Sequence, residues 1–170
     1  MKKFIGFATL LLLVSCTLNG CSKKDESDVW SSVPSESKPE TYWNGYFDEP
    51  VQKWGTKQST IIRYYGTPTE KYTNGNTELI GYGTGHLKGV SSVVYAFEYD
   101  MLVYSQIVVL MQTSAFENAM EKNFNLQNES GFLNKTYSYV SKDGNTLVSA
   151  QKTSSGGSAD SKFTIRYSRN

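Results

Sequence analysis

Apolar residues form one continuous run near the start of the chain, Phe4 to Val14, thin out from Ser22 to about Glu40, and return as short alternating stretches. The first run is too short to span a bilayer, which takes ~20 predominantly apolar residues. From Ser22 onward, Pro34 and Pro39 stand among Ser, Glu and Lys with no apolar period, so 21–41 is expected to be a disordered polar tether. A single domain is expected over 42–170.

Within that domain two stretches carry helical spacing. Ile61, Ile62 and Tyr65 predict a short helix over Lys57 to Tyr65, with Thr56 as acceptor for its first free amides, Gly66 as its stop and Pro68 barring continuation. Phe116, Ala119, Met120 and Phe124 predict a second helix, opened by a Ser114–Glu117 capping box. Val, Ile, Tyr and Phe concentrate in Glu78 to Tyr82, Ser92 to Tyr99, Leu102 to Met111, Thr136 to Ser141, Thr146 to Gln151 and Lys162 to Ser168, which read as strands. Asp100-Met101 and Lys142-Asp143-Gly144-Asn145 are the hairpin turns. The order is helix and three strands, twice. This predicts an α+β domain of two αβββ halves, about 51–112 and 113–170, forming a mostly antiparallel sheet with two helices packed on one face.

The start of the chain has a second signal. Lys2 and Lys3, the apolar run and a small residue before a cysteine make a secretory signal, with 1–20 as the signal peptide. Leu13-Val14-Ser15-Cys16 and Leu18-Asn19-Gly20-Cys21 both resemble the lipobox at which bacterial lipoprotein precursors are cleaved before a lipid-modified cysteine. Ser22-Lys23-Lys24-Asp25-Glu26-Ser27-Asp28 is similar to the polar, acidic start of mature Bacteroidetes lipoproteins, and favours Cys21 over Cys16. Stable anchoring takes more than one acyl chain, because each buried methylene contributes only about 0.8 kcal/mol. The resemblance implies a covalent lipid on Cys21 and a place in the cell envelope, at the outer membrane, on its periplasmic face or at the cell surface.

Composition narrows the chemistry. Loss of Lys2 and Lys3 leaves 15 basic against 16 acidic residues, with no Lys/Arg cluster, so nucleic acid is not an expected partner. Cys16 and Cys21 are the only cysteines, which removes disulfides, thiolate zinc sites and thiol catalysis from the mature domain. His86 is the only histidine and lies in a glycine-rich stretch, Gly81 to Gly89, read as a mobile loop; no motif supplies a nucleophile or orienting carboxylate. Those glycines do not fit a phosphate loop, which sits between strand and helix, whereas Val90 onward reads as strand. Asp48-Glu49 is a carboxylate pair near aromatics, but adjacent side chains on an extended segment point apart. No enzyme activity and no cofactor other than the lipid are expected. The aromatic cluster Trp43, Tyr46, Phe47 and Trp54 is the candidate ligand site, since exposed rings stack on sugars or anchor proteins; its alternative role is to close the core.

Trp54-Gly55-Thr56, Ile61, Tyr65-Gly66-Thr67-Pro68, Leu79, Tyr82, Val94-Tyr95-Ala96-Phe97 and Leu102 resemble the helix-then-sheet pattern of the SmpA/OmlA class of small outer-membrane lipoproteins and of β-lactamase-inhibitor-protein-like domains. The likeness covers about a third of the chain and departs at Asp100-Met101, where Asp-Gly or Asn-Gly is usual. It implies a binding or scaffolding module for an envelope protein partner, with a surface glycan as the alternative ligand, and it carries no catalytic residues. Palmitate labelling is expected to disappear in Cys21→Ala and persist in Cys16→Ala; the reverse result would move the anchor to Cys16.

Overall fold

The computed structural model describes residues 36–132, 134–154 and 159–170. The expected signal peptide, Cys16, Cys21 and residues 21–35 of the expected tether lie outside the described residues, as do 155–158 of the loop before the last strand. The elements in chain order are β1 (Tyr42–Trp43), β2 (Asp48–Glu49), α1 (Gln58–Tyr65), β3 (Glu70–Asn74), β4 (Thr77–Tyr82), β5 (Ser92–Glu98), β6 (Met101–Met111), α2 (Thr113–Glu121), β7 (Phe124–Ser130), β8 (Thr136–Ser141), β9 (Thr146–Ser154) and β10 (Ser161–Arg169). The fold is α+β-like and mostly β. Its main sheet has eight strands in the order β3-β4-β5-β6-β10-β9-β8-β7, every neighbouring pair antiparallel; β1 and β2 form a separate two-stranded hairpin.

Each helix is followed by four strands rather than the expected three, because β3 and β7 are strands without an alternating apolar pattern. All five residues of β3 are exposed, and in β7 only Phe124 is buried. Both are sheet edges, which bury few side chains and so leave little hydrophobic signature.

Alternation is sharpest where the sheet is deepest. On β10, Ser161, Phe163, Ile165 and Tyr167 are buried, while Lys162 and Arg166 between them are exposed. Register carries the same division across the sheet: Tyr95 on β5 faces Ser105 on β6, which faces Tyr167 on β10, which faces Val148 on β9 and then Tyr139 on β8. All five are buried. Tyr65 at the end of α1 stacks on Tyr95 at a centroid distance of 6.4 Å, and Phe116 of α2 stacks on Phe163 at 4.1 Å.

The helix starts differ from expectation. Thr56 Oγ donates to the Lys53 carbonyl at 2.7 Å instead of accepting from α1. The first amide of the helix, Gln58 N, instead donates to the backbone carbonyl of Asp100 at 3.3 Å and to its Oδ1 at 3.2 Å. A cap 42 residues away leaves no local trace in sequence. α2 begins one residue before Ser114 and has no side-chain cap; Glu117 accepts from the Tyr137 hydroxyl at 3.2 Å in place of closing a capping box.

The β5–β6 turn is Tyr99-Asp100, one residue earlier than expected, with φ of 51° and 64°. Two left-handed residues in succession define the mirror-image turn that matches strand twist, here made without glycine. Gly66 ends α1 as expected, its amide donating to Ile62 at 2.9 Å.

The 83–91 loop is held in place. Leu87 and Val90 are buried, and Lys88 exchanges two bonds of 2.8 Å with Asp48, its amide donating to the carboxylate and its carbonyl accepting from the Asp48 amide. Gly89 sits at φ +73°, where a Cβ would lie 2.7 Å from the Tyr46 carbonyl and 3.1 Å from Phe47 Cα. Gly85, at φ +93°, has open space around it. Gly89→Ala is therefore expected to cost about 3 kcal/mol from strain plus overpacking, against about 1 kcal/mol for Gly85→Ala, measured by urea denaturation. Equal losses at the two sites would show that the hairpin is free to move off the loop.

Candidate functional site

The stretch singled out for its aromatic residues is the β1–β2 hairpin and the segment that follows it. Its turn is built by Asn44, a buried side chain whose Oδ1 accepts from the amides of Tyr46 and Phe47, both at 3.0 Å. Gly45 takes φ +99° inside that turn. The turn sends the neighbouring rings of Tyr46 and Phe47 in different directions, one outward and one into the core.

Phe47 is completely buried and belongs to the core, so it presents no ring to a ligand. Trp43 and Tyr46 are exposed by 42% and 38%, enough for a partner to reach them. Each already carries a cation: Lys88 Nζ lies 4.1 Å from the Trp43 ring centroid and Lys122 Nζ 5.1 Å from that of Tyr46. Trp54 is half-buried against the core. It lines a small recess with Pro39, Thr56 and Thr60. The four aromatics thus serve separate purposes: one core residue, one core-edge residue and two lysine-capped rings.

The end of the expected tether lies on the domain. Glu36 bonds to the Thr60 hydroxyl through its carboxylate and to the Tyr64 hydroxyl through its carbonyl; Tyr65 Oη donates to the Pro39 carbonyl at 2.7 Å. Between this segment and the α2–β7 corner is an open cleft of about 700 Å³, lined among others by Pro39, Tyr42, Glu49, Gln52, Asn123 and Phe124.

Glu49 is the chemically distinctive group in that cleft. It is 3% exposed, and its partners are three carboxamides: Asn44 Nδ2 at 3.4 Å and Asn123 Nδ2 at 3.1 Å donate to Oε1, and Gln52 Nε2 at 3.0 Å donates to Oε2. Burial raises its pKa above the usual carboxylate value, against the lowering effect of those three bonds. Asp48 points elsewhere, to the Lys88 amide, so the adjacent carboxylates do diverge. Sequence reasoning passed over Glu49 as half of an unproductive pair, and its partner Asn123 lies 74 residues away.

His86 is not a loose loop residue. Its ring stacks on Tyr82 at 4.0 Å and tilts against Tyr65 at 5.1 Å, its Nε2 is buried without a partner, and burial lowers its pKa. Among the described residues no helix is long and apolar enough to cross a membrane. Family models, curated proteins and solved structures give no match to this chain.

The Glu49 arrangement has a consequence for stability. A carboxyl whose pKa is raised on folding holds its proton in the native state above the unfolded value near 4.5, so the native state binds more protons in that window. Its contribution is greatest at acid pH and declines as pH rises from about 4.5 through the folded pKa. The unfolding free energy of the natural protein minus that of Glu49→Gln, from denaturant titrations across that range, is expected to fall as pH rises. A difference that grows with pH would mean that the carboxamide bonds outweigh burial.

Proposed function

We propose that this protein is a lipid-anchored envelope module without enzymatic activity, whose broad sheet face receives a protein partner. Several observations support the architecture behind this reading. Tyr95, which meets Tyr65 of α1, and Phe163, which meets Phe116 of α2, have the same facing parity by strand register, which favours both helices covering one face. The two helix-plus-four-strand runs then form two halves meeting at β6 and β10.

The opposite face carries the functional argument. Its positions include Tyr72, Met101, Leu110 and Leu147, exposed by 46%, 50%, 58% and 41%, among Thr, Ser, Gln and Asn. Charged side chains are few there, and charge depletion with Tyr and Arg enrichment characterises the centre of protein interfaces. The single observation that carries the reading is the pair at the middle of this face, where the Arg166 guanidinium of β10 lies 3.7 Å from the ring centroid of Tyr104 on β6. A preorganised Tyr–Arg stack on the two central strands is the composition of an interface hot spot.

The resemblance to SmpA/OmlA-class and β-lactamase-inhibitor-protein-like modules agrees with this reading without adding residues to it. The glycan alternative through Trp43 and Tyr46 is weaker, because a lysine occupies one face of each ring. Crosslinking in intact envelopes is expected to capture one dominant protein with the natural chain, and to lose most of it in Tyr104→Ala and Arg166→Ala, each an effect of tenfold or more. Capture unchanged by both substitutions would overturn the assignment of the sheet face. Capture lost only in Trp43→Ala would transfer the interface to the hairpin.

A further inference from the structure

We propose that the cleft beside Glu49 binds one neutral, polyhydroxylated ring, a single sugar residue, at a site separate from the sheet face. Its volume of about 700 Å³ falls within the range of about 300–1,000 Å³ usual for small-molecule sites. Its floor is a ready-made hydroxyl receptor. An ionised carboxylate has about four acceptor positions, and three of those on Glu49 are taken by carboxamides, which leaves one on Oε2.

Gln52 and Asn123 line the same cleft and each spends one N–H on Glu49. Each side chain retains a second N–H and a carbonyl oxygen, a donor beside an acceptor, which is what a sugar hydroxyl requires of its neighbours. The carboxylate also orients both amides, so little is lost in ordering them when the ligand arrives.

Charge selects against ionic ligands. Lys38, Lys53 and Lys142 line the cleft together with Glu40, Glu49 and Asp143, an even balance that gives neither an anion nor a cation a net advantage. Tyr42, 57% exposed, supplies a flat ring on the wall, against which the apolar face of a pyranose packs. This ring lies outside the lysine-capped pair Trp43 and Tyr46, so the site does not depend on them.

The test is a titration of the full chain, isotope-labelled with nitrogen-15, with the methyl glycosides of glucose, galactose, mannose and N-acetylglucosamine, and with methylammonium and acetate as charged probes. At least one glycoside is expected to shift the side-chain amide resonances of Gln52 and Asn123 saturably, with millimolar affinity. Gln52→Ala is expected to weaken that affinity about tenfold, the effect of one lost hydrogen bond of ordinary strength. Tyr42→Ala, on an exposed position with no core role, is expected to weaken it similarly while leaving the melting temperature in place. The proposal is overturned if none of the four glycosides moves these amides, if the shifts centre on Trp43 and Tyr46, or if methylammonium or acetate binds more tightly than every glycoside.

Discussion

The pairing of β6 with β10 is the constraint on which the rest of the structure depends. Eight register pairs, from Ser161 opposite Met111 to Ser168 opposite Tyr104, join the strand that closes the first run to the strand that ends the chain. Nothing local enforces it: the partners are separated by 50 to 64 residues, and β7, β8 and β9 must be laid down between them. Side-chain parity fixes the register. A slip of one residue would turn Phe163, Ile165 and Tyr167 to the solvent face and bring Lys162 and Arg166 into the core. Because this seam joins β6 to β10, the central part of the sheet cannot close until β10 is available, and folding is expected to carry the entropic cost of that long-range contact.

Once the seam is set, the β1–β2 hairpin becomes the part with the least support of its own. A two-stranded ribbon of two residues per strand is not stable alone. It is fixed by other segments: Phe47 enters the core, Asp48 exchanges two bonds with Lys88, and Lys122 Nζ donates to the Asn44 carbonyl at 2.6 Å. Gly89 lets the loop come close enough for the Asp48 pair to form. Glu49 then has a structural position as well as a chemical one, since Asn44 and Asn123 reach it from the hairpin and from the end of α2. An uncharged amide network around one carboxylate satisfies the buried oxygens while keeping the cost of a buried ion pair out of the site.

What could be read from the sequence follows from where each interaction is made. β10 alternates because one face is core and the other is not, so its strand and its inward residues were legible from Phe163, Ile165 and Tyr167 alone. The Asp143-Gly144 turn was legible for a similar reason: Asp143 Oδ1 accepts from the Asn145 amide and Gly144 takes φ +78°. β3 and β7 were not, because an edge strand is held by backbone bonds and its side chains stay in water. The caps were misassigned because Ser114 and Thr56 have the right chemistry, whereas α1 takes its acceptor from Asp100, brought near by the sheet. The aromatic cluster shows the same limit in the candidate site. Composition places four rings close in sequence, but only the turn built on Asn44 and the positions of Lys88 and Lys122 decide that Phe47 is core and that Trp43 and Tyr46 are capped.

The two proposed surfaces make different physical demands, and the fold separates them accordingly. A flat face for a protein partner needs side chains that are exposed yet fixed, and central strands provide this because each is held on both sides; the Tyr104–Arg166 stack lies on such strands. That face must also avoid open-ended sheet growth, and the polar edge β3 and the bulge between Leu126 and Asn128 in β7 work against edge pairing. A small polar ligand needs concavity and convergent amides, which a sheet face does not offer. The cleft supplies them where irregular chain, Pro39 to Thr41, runs into Tyr42 of β1 beside the α2–β7 corner. The chain just before it bonds to α1 through Glu36 and Pro39, which fixes that wall of the cleft on the domain before any ligand arrives.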